Sequence, residues 1–314
     1  MELIERIKNN FNKGFFDKAM LIEDLPVEYP AWTIKNSNWV GVAVPLNQTF
    51  TFSEHFSNVR IRTALGTEIN GDTYNLLMLT CDDMSLRNEF AVICSQFIQP
   101  GPNGKLREEL ISAPEKWWGN WKFLLGNVNS SQSAYPVLGE LTVLEKLLLD
   151  GRKAKWTGAN KATHDIELPN CSYEVKSTTN RYGYEVTISS VYQMKKSGET
   201  LDLAFCRFEP SVLGRSINDL VESIVQIGYP EEELEASLQK HNLEYGCTAR
   251  NIRFKLLEMK VYSVDDEFPA VTCDSFVGGV LPKYVTEFSY TLDLSGVTSK
   301  NSLSARVERE KCTI

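Results

Sequence analysis

Between positions 163 and 178 the chain reads THDIELPNCSYEVKST, which sets two acids, Asp165 and Glu174, close to a lysine, Lys176. If Pro169 and Asn170 form the tip of a hairpin, antiparallel pairing puts 168 opposite 171, 166 opposite 173, and Asp165 opposite Glu174. Directly opposed residues carry Cβ atoms about 4.5–5.5 Å apart, so two carboxylates placed there repel, and a bridging cation removes the repulsion. The two-residue period of a strand sends Glu174 and Lys176 to one face, with Tyr173 and Val175 on the other. A third acid comes from VLGELTVLEKLLLDG, read as a helix stopped by Gly151. On its wheel Glu140 falls between Leu144 and Leu147, inside the apolar stripe, while Thr142, Lys146 and Asp150 take the polar side. An inward acid is costly without a partner, and a divalent ion shared with Asp165 and Glu174 is a sufficient one. Hard oxygen donors suit Mg²⁺, with Mn²⁺ as a substitute. Such an ion activates water and offsets charge building on a phosphodiester, and Lys176 beside it would orient the attacking water and stabilise the pentavalent transition state. The chemistry implied is hydrolysis of a phosphodiester bond.

Elements able to position these groups follow from the hydrophobic pattern. Residues 1–112 read as an α/β region: an opening helix, strand-like runs WVGVAVPL, NVRIRTAL and YNLLMLTC, then a helix through LRNEFAVICSQFI, closed by the breaker cluster QPGPNG. Residues 113–210 are expected to form the core that carries the acids, beginning with a helix in EKWWGNWKFLLGN and ending in the strand LDLAFCRF. Residues 211–314 read as helices in SINDLVESIVQIGY and EEELEASLQKHN, then long alternating strands in NIRFKLLEMKVYSV and VTEFSYTLDLSG, and a polar tail.

Composition narrows the class. The chain has 314 residues, 42% hydrophobic and 24% charged, ordinary values for a globular protein, and no apolar run of the roughly 20 residues that a membrane span needs. The N-terminus lacks a signal-peptide pattern, so a cytoplasmic location without membrane attachment is expected. Seven cysteines scattered singly, with three histidines, supply neither a disulfide framework nor a zinc site. The formal net charge of −8 argues against indiscriminate coating of nucleic acid. Yet residues 116–200 hold eleven Lys and Arg against eight Asp and Glu, so the acid-bearing segment is the basic part of an acidic protein.

A glutamate on a helix, an aspartate at the end of one strand and EVK on the next resemble the PD-(D/E)XK nucleases, the restriction-endonuclease-like superfamily. VTISSVYQM, a strand followed by a helix, continues the likeness. WWGNWKFLLGN, YPVLGELTVLEKLL, HDIEL, YEVKST and LLEMKVYSVDDEFP further resemble a bacterial family classed with PD-(D/E)XK proteins and met in phage-defence gene clusters. The resemblance implies a mixed-sheet core flanked by helices, with N-terminal α/β and C-terminal α+β elaborations. It implies a Mg²⁺-dependent DNA endonuclease of restriction or phage defence, working with ATPase or helicase-like partners; a homodimer, two copies meeting to cut both strands, is a separate expectation. Glu140, Asp165 and Glu174 would be metal ligands, the Val175 carbonyl a further one, and Lys176 the catalytic lysine. His164 stands where the family's motif has proline.

Plainer readings compete. Glu258 and Lys260 repeat the Glu-x-Lys spacing without an acidic partner strand, and read as the exposed face of a strand. Trp117, Trp118 and Trp121 could stack bases, but a helix packed into a core or junction is favoured. Gln193 matches a glutamine found beside some superfamily active sites, yet Ser190 and Gln193 also form an S-x-x-Q cap, which is favoured. His164 reads as a packing residue. Lys161, Arg181, Gln193, Lys195 and Lys196 are candidate nucleic-acid contacts, as neighbours of Lys153 and Lys155 in a basic surround. The competing function is a catalytically silent DNA-binding or scaffolding subunit of a defence complex. Whether DNA or RNA is the substrate stays open.

Overall fold

The computed structural model describes residues 3–13, 18–124, 134–158, 163–196 and 200–300; Lys161 and Cys312 lie outside them. The chain divides into two compact units, Met1–Val128 with Tyr245–Thr248, and Asn129–Glu244 with Ala249–Ile314. No helix among the described residues is long and apolar enough to cross a membrane.

In the first unit, strands β1 (Lys18–Leu21), β2 (Trp32–Lys35), β3 (Val40–Pro45), β4 (Ser53–Phe56), β5 (Val59–Ile69) and β6 (Asp72–Cys81) form an antiparallel sheet in the order β1-β2-β3-β6-β5-β4. Asn70 and Gly71, both at positive φ, make the two-residue turn between β5 and β6, since the mirror-image turn that matches strand twist needs that backbone region. Helices α1 (Leu3–Lys13), α2 (Arg87–Ile98), α3 (Lys105–Ser112) and α4 (Pro114–Leu124) complete the unit. Val40, Val42 and Val44 alternate onto the face that joins one buried core with Ile7 and Phe11 of α1, and Phe90 and Phe97 of α2. Trp118 of α4 is buried in that same core, which carries α4 into the first unit rather than the middle region expected from residue 113. Trp117 packs edge-on against Phe97 and leans on Trp121, so the favoured packing reading holds for this run. The excursion 245–248 belongs here too. Ser53 donates its N–H to the Gly246 carbonyl, and the Glu54 carboxylate accepts from the Thr248 N–H and hydroxyl. Gly246 sits at φ 90, and a Cβ there would lie 3.1 Å from the Phe52 backbone.

The second unit holds α5 (Ala134–Leu149), β7 (Lys155–Trp156), β8 (Ile166–Leu168), β9 (Cys171–Thr178), β10 (Glu185–Ile188), β11 (Thr200–Arg215), α6 (Ile217–Ile227), α7 (Glu231–Lys240), β12 (Phe254–Ser263) and β13 (Tyr290–Asp293). Its main sheet is mixed, in the order β12-β11-β9-β8-β7, with β9 and β11 parallel and the other pairs antiparallel. β10 and β13 pair separately. The inner side chains of β10 and β13, Val186, Ile188 and Leu292, cluster with Leu201, Leu203 and Phe205 of β11. α5 ends as expected: Gly151 has φ 73, its N–H bonds the Leu148 carbonyl, and the Arg152 N–H bonds that of Leu147.

Several expectations need correction. β11 runs unbroken through 210/211, so the core sheet continues into the C-terminal third, where β12 supplies its edge. VTEFSYTLDLSG contributes only the four residues of β13. Among the described residues no helix comes between β10 and β11; residues 191–195 form turns, with the Gln193 side chain drawn back to the Ser189 N–H. Thr142 is buried rather than solvated, its hydroxyl donating to the Leu138 carbonyl, the usual way such a residue is accommodated inside a helix. Glu258 and Lys260 are not a plain solvated face either. They pair with each other at 3.0 Å and both bond the Tyr184 hydroxyl, with Arg207 completing the cluster, because β11 and the turn before β10 bring these partners to β12.

Candidate active site

The acid-bearing hairpin has the register the sequence implies, with Leu168 opposite Cys171 and Ile166 opposite Tyr173. One step beyond the last pair, the Asp165 N–H bonds the Tyr173 carbonyl and its carboxylate Oδ2 accepts the Val175 N–H at 2.8 Å. In a strand the N–H and C=O of one residue point to the same edge, so the Val175 carbonyl faces the side on which Asp165 sits. β8 is short, and its end leaves that stretch of β9 open to side chains.

α5 brings the third acid by lying close to β9. A Cβ at Gly139 would strike the Ser177 hydroxyl, so the missing side chain lets the helix seat close to β9 with that hydroxyl in place. Glu140, the next residue, is 8% exposed; its Oε2 accepts the Trp156 indole N–H at 2.7 Å. Opposite it, both backbone N–H groups of Thr157 and Gly158 bond the Asp165 carbonyl, at 2.8 and 3.0 Å. Glu140 Oε2 and Asp165 Oδ1 then converge on Gly158: a Cβ built there would lie 2.9 Å from the first and 3.0 Å from the second. The absent side chain leaves a cradle with a carboxylate oxygen on two sides.

Glu174, 2% exposed, and Lys176 pair at 2.9 Å, and the Lys176 ammonium also donates to Gln193 Oε1 at 3.3 Å. The favoured capping role of Gln193 is therefore corrected. Ser190 Oγ accepts from Tyr192 N–H, and Gln193 Oε1 instead bridges the Ser189 N–H and Lys176. The choice was made by a neighbour distant in sequence. His164 is 1% exposed and, on the buried side of the chain, its carbonyl accepts the Thr157 hydroxyl, in keeping with a packing residue. Arg181, Lys195 and Lys196 are exposed, and Lys196 lies 3.8 Å from Asp266.

The electrostatics are those of an acid cluster in need of a cation. Burial first, and then Asp165, pushes the Glu140 carboxyl well above the ordinary 4.5; the Trp156 N–H works the other way. Burial and then Asp165 push Glu174 up to about 8 against the pull of Lys176. Burial raises Asp165 as well, with the Val175 N–H opposing it. One ammonium does not balance two buried carboxylates and the half-buried Asp165. Among the described residues no three His, Cys, Asp or Glu form a ready-made metal cage. Mg²⁺, however, takes only one or two carboxylates and keeps several waters, and the Gly158 cradle offers Glu140 and Asp165 in that number. The residues present thus fit a hard divalent ion, which Glu140 and Asp165 would hold, with the Val175 carbonyl facing the side of Asp165.

Trp156 and Gly158 escaped the sequence reading. Nothing in the sequence distinguishes Trp156 from an ordinary core aromatic; a glycine just past a short strand was the one available signal for Gly158. Searches among curated proteins and among solved structures find no match to the chain. Residues 30–295 match the family model described as "Putative PD-(D/E)XK family member, (DUF4420)", and the chain belongs to that family.

Proposed function

We propose that the chain is a divalent-metal-dependent nuclease that hydrolyses DNA phosphodiester bonds. The observation that carries this reading is the convergence of Glu140 Oε2 and Asp165 Oδ1 on Gly158, with the Glu174–Lys176 pair close enough for its charges to act on Glu140. When bound, Mg²⁺ or Mn²⁺ would lower the pKa of a water and offset charge building on the phosphodiester. The protein's own groups do the rest. Glu140 and Asp165, whose oxygens converge on Gly158, would hold the ion. Lys176, steered by Glu174 and Gln193, donates to the attacking water or to a non-bridging oxygen, where its charge counts most as the pentavalent state forms. Water gives up a proton to solvent as its oxygen bonds phosphorus, the bond to the leaving sugar oxygen breaks, and that oxygen takes a proton from solvent. Exposed Arg181, Lys195 and Lys196 are proposed phosphate contacts. The resemblance of the sequence motifs supports a cytoplasmic setting in phage defence alongside ATPase or helicase-like proteins, and a homodimer is proposed separately.

The test is cleavage of supercoiled plasmid and single-stranded DNA by the purified protein with Mg²⁺, Mn²⁺ or chelator, beside Lys176→Ala. Metal-dependent cutting that falls at least about 100-fold in the variant supports the reading, on the scale of losing one preorganised charge donor. Absence of cutting with either metal, while DNA binds both proteins equally, replaces it with a binding subunit.

A further inference from the structure

The segment Trp156–Gly158 touches both acids of the cradle, and by two kinds of bond. Its backbone holds Asp165 through two N–H groups on one carbonyl, and its indole holds Glu140 through one N–H at 2.7 Å. We infer that Trp156 is a positioning residue for metal binding: it turns the Glu140 carboxylate so that the second lone pair of Oε2 faces the Gly158 cradle. This rests on the metal-dependent reading above.

Three observations set Trp156 apart from a filler of the core. Its side chain is 1% exposed, so the indole N–H has no water to bond and its orientation is bound to that of the carboxylate. The ring is clamped: it stacks on His241 at 5.5 Å with planes 10° apart, and its backbone N–H donates to the Tyr229 hydroxyl at 3.2 Å. β7 pairs Trp156 with Ile166, the residue after Asp165, so one strand fixes the distance between the two acids. A carboxylate oxygen carries two lone pairs; the indole takes one, leaving the other for a cation. Groups that hold a metal ligand through a hydrogen bond in this way are worth roughly 10- to 100-fold in metal affinity when removed.

Trp156→Phe keeps the ring against His241 and deletes only the N–H. Calorimetric titration of Mn²⁺ into wild type and variant is expected to show affinity roughly 10- to 100-fold weaker in the variant, with the same stoichiometry. The cleavage rate at saturating metal should return to within a few-fold of wild type, a split that loss of packing alone would not give. Equal Mn²⁺ affinity in the two folded proteins overturns the inference while leaving the nuclease reading intact. No Mn²⁺ binding by wild type overturns the metal reading and the inference with it. Because Trp156→Phe can fail to fold, the wild-type protein with ¹⁵N-labelled tryptophan supplies an independent arm. Mg²⁺ is expected to shift one indole N–H resonance well beyond the others, and no such shift at concentrations where calorimetry shows binding overturns the inference.

Discussion

Removing a charge from the cluster should stabilise the fold. Glu174 has a folded pKa of about 8 against 4.5 in an unfolded chain, so the folded protein holds its proton more tightly than the unfolded one does. For such a group the stabilisation is full below pH 4.5 and is lost as pH rises through 8. At ~1.4 kcal/mol per pH unit, the loss at pH 7 relative to a neutral isostere is about 3 kcal/mol, shrinking to about 1 kcal/mol at pH 5. Glu174→Gln keeps the shape and an oxygen for Lys176 while carrying no charge. In chelator, urea titration should find the variant more stable than wild type by up to ~3 kcal/mol at pH 7, with most of the gap closed at pH 5. Mg²⁺ at 100 times its Kd should then close most of that gap, since it adds ~2.7 kcal/mol to the protein that binds it. A variant no more stable than wild type at pH 7 in chelator, or a gap that does not change between pH 5 and 7, would refute the account of this site as an uncompensated acid cluster.

Three further outcomes follow from the geometry. Gly158→Ala puts a methyl within 3.0 Å of both cradle oxygens; calorimetry should show Mn²⁺ binding lost while the thermal unfolding midpoint holds or rises. Arg215→Ala leaves the buried Glu145 without its two-point partner at 2.6 and 2.9 Å; with the arginine half-exposed, about 1–3 kcal/mol of stability should go, read by denaturant titration, and metal affinity should stay. Gln193→Ala frees Lys176 on one side; cleavage at saturating metal should fall roughly tenfold with Mn²⁺ affinity unchanged.

What could be read from the chain was what local rules determine. Register at the Pro169–Asn170 hairpin follows from pairing arithmetic, and the Glu140 helix with its Gly151 stop follows from period and cap, so two strands and a helix could be placed with their acids. What could not be read was decided by partners from elsewhere. Gln193 satisfies a capping pattern equally well, and only Lys176 tips it toward the site. Glu258 and Lys260 look solvated until β11 supplies Arg207 and the turn before β10 supplies Tyr184. Trp156 has a strand too short to carry a period, and its role exists only because α5 delivers Glu140 to it. The family likeness covered the acids because its motif is written in them; it said nothing of the aromatic that steers one of them.

The four residues 245–248 bear on how the protein can be dissected. They lie more than a hundred positions beyond the rest of the first unit, yet they bond along β4 and give Glu54 the N–H and hydroxyl of Thr248. A fragment ending at residue 128 is thus not the first unit but that unit with a piece of its sheet margin missing. The Ser53 N–H would lose its carbonyl and Glu54 two of its donors. Weak binding or poor solubility of such a fragment would report the missing margin.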